Sequence, residues 1–211
     1  MFRVNNARVR FLDDEEEGRL LAEGKGYLHD IIVTALHTGF RRNELLNLRP
    51  EDVDFARRLV SVRAGYAKNG EGRSVPMSTL LHGILLRLFR EAKASGSPAL
   101  FRNHQGAPLR ACALHASFQN AVKRAKLNDF HFHDLRHTFA SRLIMAGVDI
   151  RTTQELMGHK TIAMTLRYSH LSPDHKRKAI QALEDPFSEK SPANFHDTPY
   201  LAPLSEVKKA V

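Results

Sequence analysis

Apolar residues recur at helical spacing along most of this chain, and the period changes once. Leu28, Ile31, Ile32, Ala35 and Leu36 share one helical face, and Thr38-Gly39 stops them. Leu81, Ile84, Leu85, Leu88 and Phe89 form a second stripe within residues 79–94, and residues 113–126 read as a further helix. Leu135, Thr138, Phe139, Leu143 and Ala146 line a helix that begins at Asp134 and ends at Gly147. Two short helices follow. Thr152 and Glu155 stand in capping-box spacing on the first, which Gly158 closes; Thr161 is placed to cap the second, which runs to Tyr168. Residues 11–23 predict an acidic helix, and Asn43 is placed to cap a short one over residues 44–48. Between residues 59 and 76 the period drops to two. Leu59, Ser61 and Arg63 alternate with Val60, Val62 and Ala64, and Arg73-Ser74-Val75-Pro76 reads as the antiparallel partner across Asn69-Gly70 and Gly72. The pattern predicts an α+β fold, mainly α, with a small antiparallel β-hairpin.

A chain of 211 residues can bury one sizeable core but is short for two. No stretch approaches the roughly 20 apolar residues of a membrane helix, and the first residues lead into no apolar export signal. The single cysteine, Cys112, rules out an intrachain disulfide and fits a reducing, cytoplasmic setting. In its Leu-Arg-Ala-Cys-Ala-Leu run it reads as a small buried hydrophobe. The formal net charge of +9 favours a polyanionic partner through counterion release. The acidic residues cluster in 13–17 and 51–54, away from the His and Arg blocks, which is not a two-metal carboxylate cage. After Glu184, steps such as Asp-Pro, Ser-Pro and Thr-Pro read as an extended tail, with only residues 204–211 able to form a terminal helix.

The chemistry-bearing residues sit at element ends, where several elements can converge. Arg41 follows the Gly39 helix stop, with Arg42 beside it, and position alone does not choose between them. His133 and Arg136 share one face at a helix start, where an anion also meets the positive end of the helix. His159 follows Gly158, Lys68 belongs to the hairpin turn, and Tyr168 ends a short helix. Each taken singly is more often a solvated charge, a cap or a packing residue. Together they supply cations, protic donors and one hydroxyl. Two guanidinium forks can grip the oxygens of one phosphate, and phosphoryl transfer depends on neutralising developing negative charge. A phenol with a pKa of about 10 needs cationic surroundings or a base to act as a nucleophile. His131, His133 and His137 also invite a zinc reading, which the Arg136 cation on the same face opposes.

Four blocks occur in order: Gly39-Phe40-Arg41-Arg42-Asn43-Glu44-Leu45, His133-Asp134-Leu135-Arg136-His137-Thr138-Phe139-Ala140, Leu156-Met157-Gly158-His159, and Thr165-Leu166-Arg167-Tyr168-Ser169-His170. This arrangement resembles the catalytic domain of tyrosine recombinases, the integrase family of bacteria and phages, from about Arg8 to about Leu183. The resemblance implies a metal-free and cofactor-free enzyme of DNA strand cleavage and rejoining, acting on double-stranded DNA as a homo-oligomer, a tetrameric synapse. It implies that Arg41 and Arg136 grip the scissile phosphate, that His133 assists proton movement at the tyrosine, and that His159 hydrogen-bonds a phosphate oxygen. Lys68 would protonate the departing 5′-oxygen, and Tyr168 would attack phosphorus to leave a 3′-phosphotyrosine. Glu44 would support the first arginine block. Arg42-Asn43 departs from the family pattern, which often has an apolar residue and Ser there.

On this reading residues 8–184 form the catalytic domain, and the N-terminal helical domain that clamps DNA in many members is absent. Residues 185–211 form an extended tail, either docking on the chain itself or a neighbouring subunit, or ending as a disordered terminus. Related alternatives are relaxation of supercoils in the manner of a type IB topoisomerase, and chromosome or plasmid dimer resolution in place of integration or excision. A DNA-binding module without catalysis is the alternative of a different class, and the filling of every implied catalytic position argues against it.

Overall fold

The computed structural model describes residues 9–66, 70, 72–171 and 180. Lys68, the centre of the hairpin turn and the tail over 185–211 lie outside the described residues. The chain divides after Ser172, and nearly all of what is described belongs to the first unit.

Helix α2 (Tyr27–Thr38) sits at the centre of that unit. Leu28, Ile31, Ile32, Val33, Ala35 and Leu36 are all buried, so apolar groups cover most of its circumference. A helix apolar nearly all round belongs in a core. It contacts α1 (Asp14–Glu23), α3 (Arg42–Leu46), α4 (Thr79–Ser95), α5 (Ala111–Arg124) and, most extensively, α6 (Asp134–Met145). Two of its three buried polar residues need no outside partner, because the Thr34 hydroxyl donates to the Asp30 carbonyl and that of Thr38 to the Thr34 carbonyl. Asp30 itself is buried and accepts a 2.6 Å bond from Arg87 on α4.

The strand region is a three-stranded antiparallel sheet in the order β1 (Val53–Asp54), β2 (Leu59–Val62), β3 (Arg73–Pro76). The two expected strands are there, with Val60 opposite Val75 and Val62 opposite Arg73. The additional strand, β1, has only two residues and so shows no alternation in the sequence. Two further helices, α7 (Ile150–Met157) and α8 (Ala163–Leu166), complete the unit.

Several local expectations need correction. Asn43 does not cap α3; Arg41 is the N-cap, and the Glu44 carboxylate accepts the Arg41 backbone N–H. Asp149, not Thr152, caps α7, with its side chain accepting from the Thr152 N–H. Ile162 precedes α8 without a side-chain cap, so Thr161 does not serve there. Each start differs from the expected one by one to three residues, and tertiary packing rather than cap chemistry sets where the helix begins. Cys112 is exposed rather than buried, because α5 turns Leu114, Phe118, Ala121 and Val122 inward and leaves position 112 on the opposite face.

Candidate active site

The helix stops do as much as the helices to build the site. Gly39 ends α2 at φ 63° and Gly158 ends α7 at φ 59°, both in the left-handed region that favours glycine. These turns aim the last carbonyls of both helices at one guanidinium. Arg136 on α6 donates through one NH group to the Gly39 carbonyl at 2.6 Å and through the other to the Met157 carbonyl. The carbonyl ends of helices carry partial negative charge, which steadies a cation without neutralising it. Arg136 is only 3% exposed, and among the described residues no carboxylate bonds to it. Burial, and then repulsion from Arg41 and Arg73, pulls its pKa down to about 9, still cationic at neutral pH.

A carboxylate does serve the neighbouring arginines. Glu44 is buried on α3 and accepts from Arg41 NH1 at 2.9 Å and from Arg73 NH2 at 2.7 Å. Arg73 also donates to the Leu156 carbonyl at 3.0 Å and lies over the Phe40 ring, 4.9 Å from its centroid. It therefore ties β3, α3 and α7 together. Burial alone would raise the Glu44 carboxyl, but the Arg73 and Arg41 hydrogen bonds and charges outweigh it and hold the pKa below the usual range. The sequence reading passed over Arg73. The signal was there: in β3 it shares the parity of Val75, which is buried, so its side chain points inward.

Arg41, His133 and Arg136 line one cleft of about 710 Å³. Phe40, Arg42, Asn43, Glu44, His115, Gln119, His131 and Phe132 form the rest of its wall. Arg41 is the arginine held by Glu44, and Arg42 beside it is exposed. His159 and Tyr168 are not among the residues that line this cleft. The His159 ring nitrogen Nδ1 meets the buried Thr165 hydroxyl at 2.9 Å. Burial, and then the charges of Arg136, Arg41 and Arg73, push its pKa down to about 3, so the ring is neutral. Tyr168 is 1% exposed, in a small cluster with Phe139, Ala140, Ile144 and Met157. Its hydroxyl lies 2.5 Å from Nδ1 of His137, a residue the sequence reading treated only as a possible zinc ligand. Burial raises the phenol to about 12, partly offset by the charges of Arg167 and Arg136. Among the described residues no group of three or more His, Cys, Asp or Glu side chains is placed to hold a metal ion.

Residues 10–175 match the family model described as "Phage integrase family". The chain belongs to the phage integrase family. Over 199 residues it is 31% identical to the integrase of Salmonella phage P22, covering 90% of this chain and 51% of that one. The catalytic domain of bacteriophage HP1 integrase superposes with a TM-score of 0.64 at 30% identity, over 85% of this chain and 99% of that domain. The Tn1549 transposon integrase, solved in complex with a circular intermediate DNA, gives a TM-score of 0.71 at 26% identity, over 84% of this chain and 67% of the other. The chain spans about half the length of the curated relatives it matches. The mainly helical architecture with its small antiparallel sheet is thus that of an integrase catalytic domain, as the four blocks implied. Among the described residues no helix is long and apolar enough to cross a membrane.

The integrase fold depends on Gly39 in a way that can be measured. A Cβ there would stand 2.4 Å from Phe139 Cδ1 and 3.1 Å from the Met157 sulfur. Gly39→Ala is expected to destabilise the domain by more than about 1 kcal/mol and to disturb the carbonyl that holds Arg136. Urea unfolding measures the first effect. An unchanged midpoint would show that Phe139 yields without cost.

Proposed function

We propose that this chain cleaves and rejoins double-stranded DNA through a 3′-phosphotyrosyl intermediate, as part of site-specific recombination. The observation that carries the reading is the cleft cation Arg136. It is buried, anchored only by carbonyls among the described residues, and lines the same cleft as Arg41, so an anion in that cleft would meet both cations. A DNA phosphate has the charge and the fork-accepting oxygens to fill it. Tyr168 is the hydroxyl nucleophile, and the charge of Arg136 reaches its phenol. His133 on the cleft wall assists proton movement, His159 hydrogen-bonds a phosphate oxygen, and Lys68 acts as the general acid at the departing 5′-oxygen. The intermediate keeps the energy of the phosphodiester bond, so rejoining needs no external energy source.

The substrate class follows from the same charges, and likeness to the P22 integrase and to a transposon integrase solved with DNA supports integration or excision of a mobile element. We assign residues 8–184 to the catalytic domain and 185–211 to a docking tail of a DNA-bound tetramer. The direct test is a pool of nicked suicide duplexes of randomised sequence, from which the SDS-stable protein–DNA adduct is isolated and its linked peptide mapped. The reading expects the peptide that contains Tyr168. A linkage elsewhere, or none with any duplex, would overturn it.

Arg136→Ala is expected to lower the rate of adduct formation by about 100- to 1000-fold, because a preorganised charge opposite the developing oxyanion is lost. Single-turnover cleavage measures this. A near wild-type rate would remove Arg136 from the phosphate site.

A further inference from the structure

The phenol of Tyr168 touches one ionisable side chain among the described residues, and it is not the histidine of the cleft wall. His137 Nδ1 stands 2.5 Å from the Tyr168 hydroxyl, a short hydrogen bond between a buried phenol and a half-buried imidazole. His133, one turn earlier on α6, meets His137 edge to face with ring centroids 4.9 Å apart. The two rings form a file from the phenol to the cleft, with His133 at its open end.

We propose that His137 is the proton acceptor for Tyr168, receiving the phenol's proton at Nδ1 as the oxygen attacks phosphorus. This rests on the reading of Tyr168 as the nucleophile. The hydroxyl donates, so Nδ1 must carry the free lone pair and Nε2 the hydrogen. The groups that face His137 agree with that state. His133 and Arg136 come from its own helix and Arg167 from the segment beyond α8, and all of them disfavour an imidazolium. Burial first, and then these charges, bring its pKa down to about 4, so it rests as a neutral acceptor. Against a phenol raised to about 12, it takes no proton from resting Tyr168. Transfer waits for the bond to phosphorus, which makes the phenol oxygen strongly acidic, and for a bound phosphate, whose charge offsets the arginines. An enzyme so arranged has no tyrosinate exposed to side reactions before DNA arrives.

The step balances. The Tyr168 oxygen–phosphorus bond forms, the phosphorus–O5′ bond breaks, the phenol proton moves to His137, and the departing 5′-oxygen takes a proton from the general acid. On rejoining, the 5′-hydroxyl attacks phosphorus and the imidazolium returns its proton to the leaving phenolate.

The test replaces the base and then makes it unnecessary. H137N keeps an acceptor oxygen near the place of Nδ1 but cannot take up a proton. It is expected to slow adduct formation on the nicked duplex pool by about 100-fold or more. Placing 3,5-difluorotyrosine at position 168 of H137N supplies a much more acidic phenol and should restore most of that loss. A purely structural defect would not respond to phenol acidity. An H137N rate equal to wild type, or a loss that persists with the fluorinated phenol, would overturn the proposal. Should H137N not fold, 15N-histidine NMR of the unaltered protein decides: a hydrogen on Nδ1 of His137 would sink the assignment, and one on Nε2 supports it. Tyr168→Phe run in parallel separates the two readings. Adduct from that variant defeats the nucleophile assignment itself, whereas its loss alongside a normal H137N defeats only the role of His137.

Discussion

Tyr168→Phe is expected to eliminate the covalent protein–DNA adduct while leaving a folded domain. The substitution removes one oxygen from a residue that is 1% exposed, and the ring keeps its neighbours Phe139, Ala140, Ile144 and Met157. What the fold loses is the hydrogen bond to the half-buried His137 imidazole, worth about 0.5–1.5 kcal/mol. A shift of a few degrees in thermal midpoint is the corresponding observable. On the proposed reading the chemistry loses its nucleophile, so the loss of adduct is expected to be complete. Denaturing gels of the trapped reaction and a thermal melt give both readouts. Unfolding of the variant would make the hydroxyl chiefly a structural group, and surviving adduct would point to another nucleophile.

Glu44→Ala is expected to cost about 3–5 kcal/mol of stability, because it leaves buried cations without their counter-charge. The carboxylate takes four hydrogen bonds, from the Arg41 N–H at 2.8 Å and side chain at 2.9 Å, and from two nitrogens of Arg73 at 2.7 and 3.2 Å. Arg73 and Glu44 side chains are 7% and 1% exposed, so water cannot replace what is lost. The Arg136 cation is close enough that all three guanidinium groups influence one another. Without Glu44 they repel, and Arg41 loses its place on the cleft wall, so cleavage should fall with stability. The pH dependence has a definite sign. The folded carboxyl titrates below its usual range, so the unfolded chain binds more protons as acid is added. The Glu44 contribution is therefore present above the ordinary carboxylate pKa and fades as pH falls through the lower, folded value. Urea midpoints measured on both sides of that window, in wild type and in Glu44→Gln, check it. A Glu44→Ala protein as stable as wild type would mean that the three side chains do not form one network.

Helices α2, α4 and α6 carry long apolar stripes ended by glycine, and their positions follow from period alone. The caps of α3, α7 and α8 did not follow, because the helices begin one to three residues away from the polar residue the spacing favoured, and a side-chain cap contributes only about 1 kcal/mol against tertiary packing. Strand β1 was hidden by its length, and Cys112 by a neighbourhood that looked apolar yet faces outward. The register after Gly39 and the resemblance already favour Arg41 over Arg42; the structure adds that Glu44 holds Arg41 while Arg42 is exposed.

The order and types of the candidate site residues were legible from the chain itself: two arginines, histidines at helix ends and a tyrosine closing a short helix, placed by periodicity and by glycine stops. These are local properties, set by backbone geometry within a turn or two. Which groups actually meet was decided only in three dimensions. Arg136 reaches carbonyls 97 and 21 residues away, Arg73 joins Glu44 across 29, and His137 finds Tyr168 across 31. Those pairings depend on how helices cross and on which charges burial forces together, and no spacing along the chain encodes them.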